Sequence, residues 1–337
     1  MAGLETQKRT PWRRWIVLIL MIAGFILGGI YAPVQPEITV AAEKLIEEPL
    51  TENFLGFAGP LYLVNTLPTL AVTIILLVLV AFFTNRSVKQ SARTDMVPRG
   101  IGNLMEAIVE MLYNLTEGSA GKYTRMIFPW FATIMIYVLF ANLLKLLPGF
   151  ESIGVLHPHG GGHGGELHGW QIYDAALSHD YILAPFLRGI SVDLNFTAAL
   201  AIISVVMIQV IGFRAQGVGY LSKFFNTRRM FKVPFFGAMD FLVGLLELIS
   251  ELSKILSFAF RLFGNMFAGI VLVAVVAGLL GKFSILPAMV MMFELFIGVI
   301  QAFVFGMLTM VFMAQATQGH GEHDDHDSAH AEAAHEI

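Results

Sequence analysis

A stripe of polar side chains runs along one long and otherwise apolar segment of the chain. Its members are Asp240, Glu247, Glu251, Lys254, Arg261 and Asn265, separated by 7, 4, 3, 7 and 4 residues, with Ser250 and Ser257 at its margin. On a helix, at about 100° per residue, these positions fall within an arc of about 80°. Ionisable side chains inside a membrane usually mark ion or proton pathways. The polar stripe therefore favours a wall that faces water or a charged partner over a seam packed against another helix of the same chain.

Arg261 is a costly member of the polar stripe. An arginine at the centre of a membrane helix costs roughly 2.5–3.5 kcal/mol on insertion scales. The residues three and four positions away are Ser257, Phe258, Gly264 and Asn265, none of them acidic. Because arginine stays protonated in proteins, Arg261 is a fixed positive charge and not a proton carrier.

The next apolar segment is predicted to fold back on this helix after residues 281–284. Counting back from that turn places Gln301 near Arg261, where the glutamine amide could hold the guanidinium. The same count places Glu294 opposite residue 271, about 15 Å from the arginine along the axis and too far to be its partner. The counter-charge of Arg261 is therefore expected from another helix or another chain.

Glu294 is the only acidic residue between Lys282 and Gly321, so it has no charge partner on its own helix. Burial would favour the neutral form of such a lone carboxyl group. If water reaches it, the group could exchange protons, and we expect it toward the outer face of the membrane.

The composition of the chain is that of a polytopic membrane protein. Of its 337 residues, 56% are hydrophobic and 14% are charged, whereas about 25% of the residues of a soluble domain are charged. There is no cysteine, which excludes disulfides, thiolate nucleophiles and cysteine-ligated metals. No GxGxxG, Walker A, HExxH or GxSxG motif is present, so the sequence predicts neither an enzyme nor a cofactor.

The elements that must position the polar residues are membrane helices. A span needs about 20 mostly apolar residues, and we predict spans at about 15–32, 61–84, 126–147, 194–213, 235–281 and 284–316. The fold class is thus an all-α polytopic membrane protein with about six membrane helices, one of them an extra N-terminal span. Residues 99–118 have the periodicity of a short amphipathic helix at the membrane surface.

The fifth predicted span is unusually long. Residues 235–281 contain no proline and would form one helix of about 70 Å. The hydrocarbon core is only about 30 Å thick, so this helix must be strongly tilted, or must break and bend.

Basic residues cluster before the first span and after the second and fourth, whereas the alternate loops 33–60 and 148–190 are acidic or rich in histidine. By the positive-inside rule both termini are cytoplasmic, provided that the first span is not a cleaved signal peptide. All ten histidines lie in the segments 157–179 and 320–335. We expect a solvated loop and tail there and propose no metal site, because the glycine-rich spacing fixes no ligand geometry.

Two segments, RLFGNMFAG at 261–269 and IQAFVFGMLTMVF at 300–312, closely resemble the paired signature segments of subunit a of the F-type ATP synthase. The segments LELISELSKILSFAF at 246–260 and SVDLNFT at 191–197 resemble further parts of that family. The resemblance covers about residues 45–316, with the His-rich loop at about 148–190 as an insertion. Residues 1–44 form an N-terminal anchor or signal-like span with an outer segment, and 317–337 form a His-rich tail.

The resemblance implies a non-catalytic subunit with two aqueous half-channels beside a rotating ring of c subunits, each of which carries one essential carboxylate. The tilted C-terminal hairpin would pack against this c ring. Arg261 matches the family arginine, which keeps the passing carboxylate ionised and blocks leakage between the half-channels. Asn265 and Gln301 match family residues around that arginine. The implied cytoplasmic half-channel is lined by Glu247, Ser250 and Ser257, with Lys254 in a matching place, and the outer one by Asp193, Asn195 and Glu294.

The resemblance also implies the setting of the protein. The expected partners are the c ring, the peripheral-stalk b subunits, the lipid bilayer and, indirectly, the F1 sector, with no nucleic acid. The expected location is the bacterial plasma membrane. One departure from the family pattern is Ile270, which stands where many relatives carry an acidic residue or histidine. Of the usual two-residue proton relay this chain keeps the titratable group of Glu294, which would act alone or with water.

Three other functions are weaker interpretations of the same residues. A secondary transporter would usually show inverted repeats and interrupted helices, and no internal repeat is present. A structural subunit of another membrane complex would favour an apolar residue at Arg261. An intramembrane enzyme would need a nucleophile with a base, or a metal motif, and the sequence contains neither.

Overall fold

The structure is a computed structural model, and the protein in it is mostly helical. Apart from isolated residues in 1–61 and 147–151, the described residues are 62–91, 100–145, 153–158, 181–223, 234–280 and 286–318. The predicted first span, most of the His-rich loop and the C-terminal tail lie outside them.

Six α-helices make up most of the described residues. They are α1 Thr66–Ser91, α2 Ile101–Ala120, α3 Thr124–Leu144, α4 Leu194–Gln216, α5 Pro234–Leu280 and α6 Leu286–Thr317. Two five-residue strands, β1 Gly154–Pro158 and β2 Tyr181–Pro185, pair antiparallel. The sequence predicted no strand in the segment 148–190. This β-hairpin is therefore an addition to the predicted all-α fold.

Five helical stretches among the described residues are long and apolar enough to cross a membrane. They are Thr66–Ser91, Gly102–Leu144, Leu194–Tyr220, Leu242–Leu279 and Leu286–Thr317. They match the second to sixth predicted spans. The predicted amphipathic helix 99–118 is α2, which a single 3₁₀ turn, Gly121–Tyr123, connects to α3.

Helices α3, α4 and α6 form the core, and α5 packs along its side. Phe131 of α3 and Phe305 of α6 are fully buried, and the ring of Phe258 on α5 lies 5.1 Å from that of Phe305. At Gly306 a Cβ atom would lie 2.8 Å from Cβ of Met135, so α3 and α6 approach each other as closely as a glycine allows.

The two ends of this bundle differ. At one end, which we call the hairpin end, α3 leads into the β-hairpin and α4 begins. At the other, which we call the open end, Gln216 at the end of α4 donates 3.0 Å hydrogen bonds to the carbonyls of Ala316 and Gln318 at the end of α6. Helix α5 runs from the open end to the hairpin end, with Arg261 near its middle.

Candidate functional site

Arg261 is half-buried on α5. Its Nη2 atom donates a hydrogen bond of 3.2 Å to Oγ of Ser257, one turn earlier. Its Nη1 atom is buried and has no hydrogen-bond partner among the described residues. The buried carboxylates of Glu294 and Glu251 pair with Lys145 and Lys254, and not with Arg261. The guanidinium therefore keeps donors for a carboxylate that this part of the chain does not supply.

Gln301 lies opposite Asn265, one turn beyond Arg261 and close to where the count along the hairpin predicted it. Nδ2 of Asn265 donates a 2.6 Å hydrogen bond to Oε1 of Gln301, and Nε2 of Gln301 is buried without a partner among the described residues. Because Nε2 and the guanidinium are both donors, they cannot bond to each other. The expected hydrogen bond between Gln301 and Arg261 is not present among the described residues, and the Asn265–Gln301 bond joins α5 to α6 instead.

The surface of α5 around Arg261 is open. Ser257, Asn265 and Ala268 are exposed, and a Cβ atom built at Gly264 would have no heavy atom within 4 Å. All four positions lie three, four or seven residues from the arginine and so share its face. This face can accept another helix at close range.

A cavity of about 220 Å³ lies toward the open end. Helix α5 lines it with Glu247, Glu251 and Lys254, and the remaining lining residues come from α4 and α6: Ile208, Phe312, Gln315 and Ala316. The volume exceeds the roughly 30 Å³ share of one liquid water several-fold. The polar stripe therefore borders a space that several water molecules can occupy.

Glu251 was counted in the polar stripe but not among the predicted channel residues. It is buried, and its Oε1 accepts a 2.9 Å hydrogen bond from Nζ of Lys254. The spacing of three residues between an acid and a base was the signal that could have identified this pair. By contrast, Ser250 is exposed on α5 and does not line the cavity.

At the hairpin end Glu294 forms an ion pair that the sequence analysis did not predict. Its Oε1 accepts a hydrogen bond from Nζ of Lys145, at the end of α3, and both side chains are buried. Glu294 is therefore not a lone carboxyl, although it has no charge partner on its own helix. Its partner is 149 residues away, which counting along the α5–α6 hairpin cannot reveal.

The predicted register of the α5–α6 hairpin is confirmed at Glu294. A Cβ atom at Gly269 would lie 2.6 Å from Oε1 of Glu294, so the carboxylate lies across α5 close to residue 271. Nζ of Lys145 also lies 3.5 Å from the carbonyl of Met266. The ion pair thus occupies the junction of α3, α5 and α6, two turns of α5 from Arg261.

Asp193 and Asn195 lie at the start of α4, at the same end of the bundle. Asp193 is buried, and it accepts hydrogen bonds from the backbone N–H of Asn195 (2.9 Å) and from Oγ1 of Thr66 (3.0 Å). It therefore caps α4 and ties it to α1. The side chain of Asn195 is exposed.

A buried polar connection runs from this region toward Glu294. Oγ of Ser191 donates a 2.6 Å hydrogen bond to Oδ1 of Asn142. Nδ2 of Asn142 in turn donates a 3.0 Å hydrogen bond to the carbonyl of Gly298, one turn of α6 beyond Glu294. The hairpin end thus holds a second polar region, separate from the cavity at the open end.

Sequence comparisons identify proteins to which the chain is similar. The sequence profile of the family described as ATP synthase A chain matches residues 68–314, more than half of the chain. A protein of Moorella thermoacetica named ATP synthase subunit a is 28% identical over 263 residues, which cover 78% of this chain and 94% of the relative. A protein of Pelobacter propionicus named ATP synthase subunit a 3 is 31% identical, covering 71% of this chain and 82% of the relative. A protein of Campylobacter jejuni named ATP synthase subunit a is 30% identical, covering 72% and 87%. The chain belongs to the ATP synthase A chain family.

Proposed function

We propose that this chain is the stationary, non-catalytic membrane subunit that guides protons to and from a rotating c ring, and that Arg261 separates the two halves of the path. The observation that carries the proposal is a half-buried guanidinium with a spare buried N–H group, between two polar regions at opposite ends of the bundle. Family membership supports a role in proton translocation in the membrane sector of an ATP synthase.

The role of Arg261 follows from its charge and its exposed face. A c-subunit carboxylate that passes this face would meet a permanent positive charge, which favours its ionised form. The carboxylate would lose its proton before it reaches Arg261 and regain one after it has passed. Because arginine does not give up its proton, it also blocks direct proton transfer between the two regions.

The two polar regions are the proposed half-channels. The cavity bordered by Glu247, Glu251 and Lys254 would connect the c ring to the cytoplasm, and the hairpin end with Glu294 would connect it to the outside. This orientation follows the positive-inside pattern, with both termini in the cytoplasm. The subunit would act in a bacterial plasma membrane with the c ring, the peripheral-stalk b subunits and, indirectly, the F1 sector.

A secondary transporter remains the alternative. It would need a substrate site within this chain, whereas the proposed mechanism needs a second protein at the face of Arg261. The two functions therefore differ in what lies against α5.

Cysteine crosslinking tests this difference directly, because the chain has no cysteine of its own. Ala268→Cys introduces an exposed thiol on the Arg261 face, and Ile75→Cys introduces a matched exposed thiol on α1. We expect Ala268→Cys to crosslink to a cysteine placed beside the carboxylate of the co-expressed c subunit, and Ile75→Cys not to do so. Equal crosslinking of both positions, or none at Ala268, would contradict the proposal.

A further inference from the structure

The ion pair between Lys145 and Glu294 is unusual for its burial. The two side chains are only 3% and 6% exposed. Ions taken out of water are costly unless they are paired and hydrogen-bonded, and removal of one partner leaves an uncompensated buried charge. The pair therefore persists only while both groups are ionised.

The charges around this pair can be named element by element. Glu294 is the only charged residue of α6, and α5 presents Met266 and Gly269, which carry no charge. Buried Arg188 lies in the segment before α4, where Asp193 caps the helix. In the turn after α3, Glu151 accepts a 3.3 Å hydrogen bond from the N–H of Gly189.

Glu151 belongs to the same electrostatic cluster. Burial raises the pKa of its carboxyl, and the Glu294 carboxylate acts in the same direction, while the Gly189 N–H, Lys145 and Arg188 lower it. The cluster thus contains two basic groups, Lys145 and Arg188, and two carboxyl groups, Glu151 after α3 and Glu294 on α6.

We propose that Lys145 is the positioning residue for proton transfer at Glu294. Its ammonium group holds the Glu294 carboxylate against Gly269 and keeps that carboxylate ionised between transfers. This inference rests on the proposed function. When a proton binds Glu294, the carboxylate becomes a neutral acid and the ion pair breaks. When that proton passes to a c-subunit carboxylate, Glu294 regains its charge and pairs with Lys145 again.

The variant Lys145→Met tests this role in the reconstituted whole complex. Without the ammonium, the buried Glu294 carboxyl would hold its proton more tightly, so it would release protons only at higher pH. We expect the pH profile of proton flux to move to alkaline pH by at least about one unit, a tenfold change in proton affinity. Lys145→Arg keeps the charge and should keep the profile. The exposed Lys122 offers a matched control in Lys122→Met, which should leave the flux unchanged.

A purely structural role for Lys145 would lower the flux at every pH without moving the profile, and that result would overturn the inference. If Lys145→Met does not assemble, infrared difference spectra of the wild-type and Glu294→Gln complexes at neutral pH still test it. We expect Glu294 to contribute a carboxylate band, and a carbonyl band of the neutral acid would overturn the inference. An unmoved profile with flux that still depends on Arg261 would contradict only the role of Lys145. Flux that does not depend on Arg261 would contradict the proposed function itself.

Discussion

Asn265, one turn beyond Arg261 on α5, donates a 2.6 Å hydrogen bond to the side-chain carbonyl of Gln301 on α6. This bond joins the two helices one turn from the arginine. Among the described residues the guanidinium bonds to Ser257 and to neither of these two amides. Arg261 therefore stays available to a carboxylate from outside, because its nearest amide partners bind each other.

Gln301→Ala should lower ATP synthesis several-fold in complexes that still assemble, because α5 loses its polar tie to α6 beside Arg261. Asn265→Ala should act in the same way, and the double variant should be little worse than either single one. A double-mutant cycle on synthesis rates measures this coupling, for which we expect a value within about 0.5–3 kcal/mol. Strict additivity would show that the hydrogen bond does not act as a unit.

Gly269→Ala should slow proton flux several-fold, because the new Cβ atom would lie 2.6 Å from Oε1 of Glu294. The Glu294 side chain would have to move away from Lys145 to make room. Gly278→Ala is the matched control on the same helix, since a Cβ atom there meets no heavy atom within 4 Å. Flux in vesicles with an imposed potential is the measurement. Equal effects of the two substitutions would argue against a close fit at Gly269.

Glu294→Gln should slow proton flux severely, because the amide cannot accept and release a proton and leaves Lys145 without its counter-charge. Glu294→Asp and Glu294→His should retain part of the flux, since each keeps a titratable group. Wild-type flux in Glu294→Gln would remove this residue from the path.

Ile270→Glu or Ile270→His should be tolerated better than a charge placed elsewhere on α5. Residue 270 directly follows Gly269, against which the Glu294 carboxylate lies. Leu272→Glu, at an exposed apolar position two residues further along the same helix, is the comparison. The variants at residue 270 should assemble more completely and conduct protons faster than Leu272→Glu. The opposite order would show that the region around Glu294 does not accept a second titratable group.

Helix α5 should lie strongly tilted in the membrane. Its 47 residues span about 70 Å at 1.5 Å per residue, against a core of about 30 Å. A structure of the whole complex in a lipid nanodisc measures the angle directly. We expect the helix axis nearer to the membrane plane than to its normal, and an upright helix would contradict this.

The local pattern of apolar and polar residues was enough to predict the helices that carry the candidate site. The absence of proline from residues 235–281 predicted one long helix, and α5 extends over Pro234–Leu280 without a break. The few residues between the two apolar segments predicted the register that brings Asn265 to Gln301. Both predictions needed only periodicity and a count of residues along one hairpin.

Long-range pairing was not predictable in this way. Lys145 and Glu294 are 149 residues apart, and neither periodicity nor spacing connects α3 to α6. The strands β1 and β2 flank a segment rich in glycine and histidine, where no alternation of apolar and polar residues signals a sheet. Glu251 stood in the polar stripe, but only the fold shows that it borders the cavity with Lys254.

The most direct test of the account is ATP synthesis by reconstituted complexes that carry Arg261→Ala. We expect complexes of normal composition that make no ATP, because the passing carboxylate loses the fixed charge that keeps it ionised. Arg261→Lys should restore little, since an ammonium group lacks the planar fork of the guanidinium. Synthesis by Arg261→Ala at near wild-type rates would contradict the central role of this arginine.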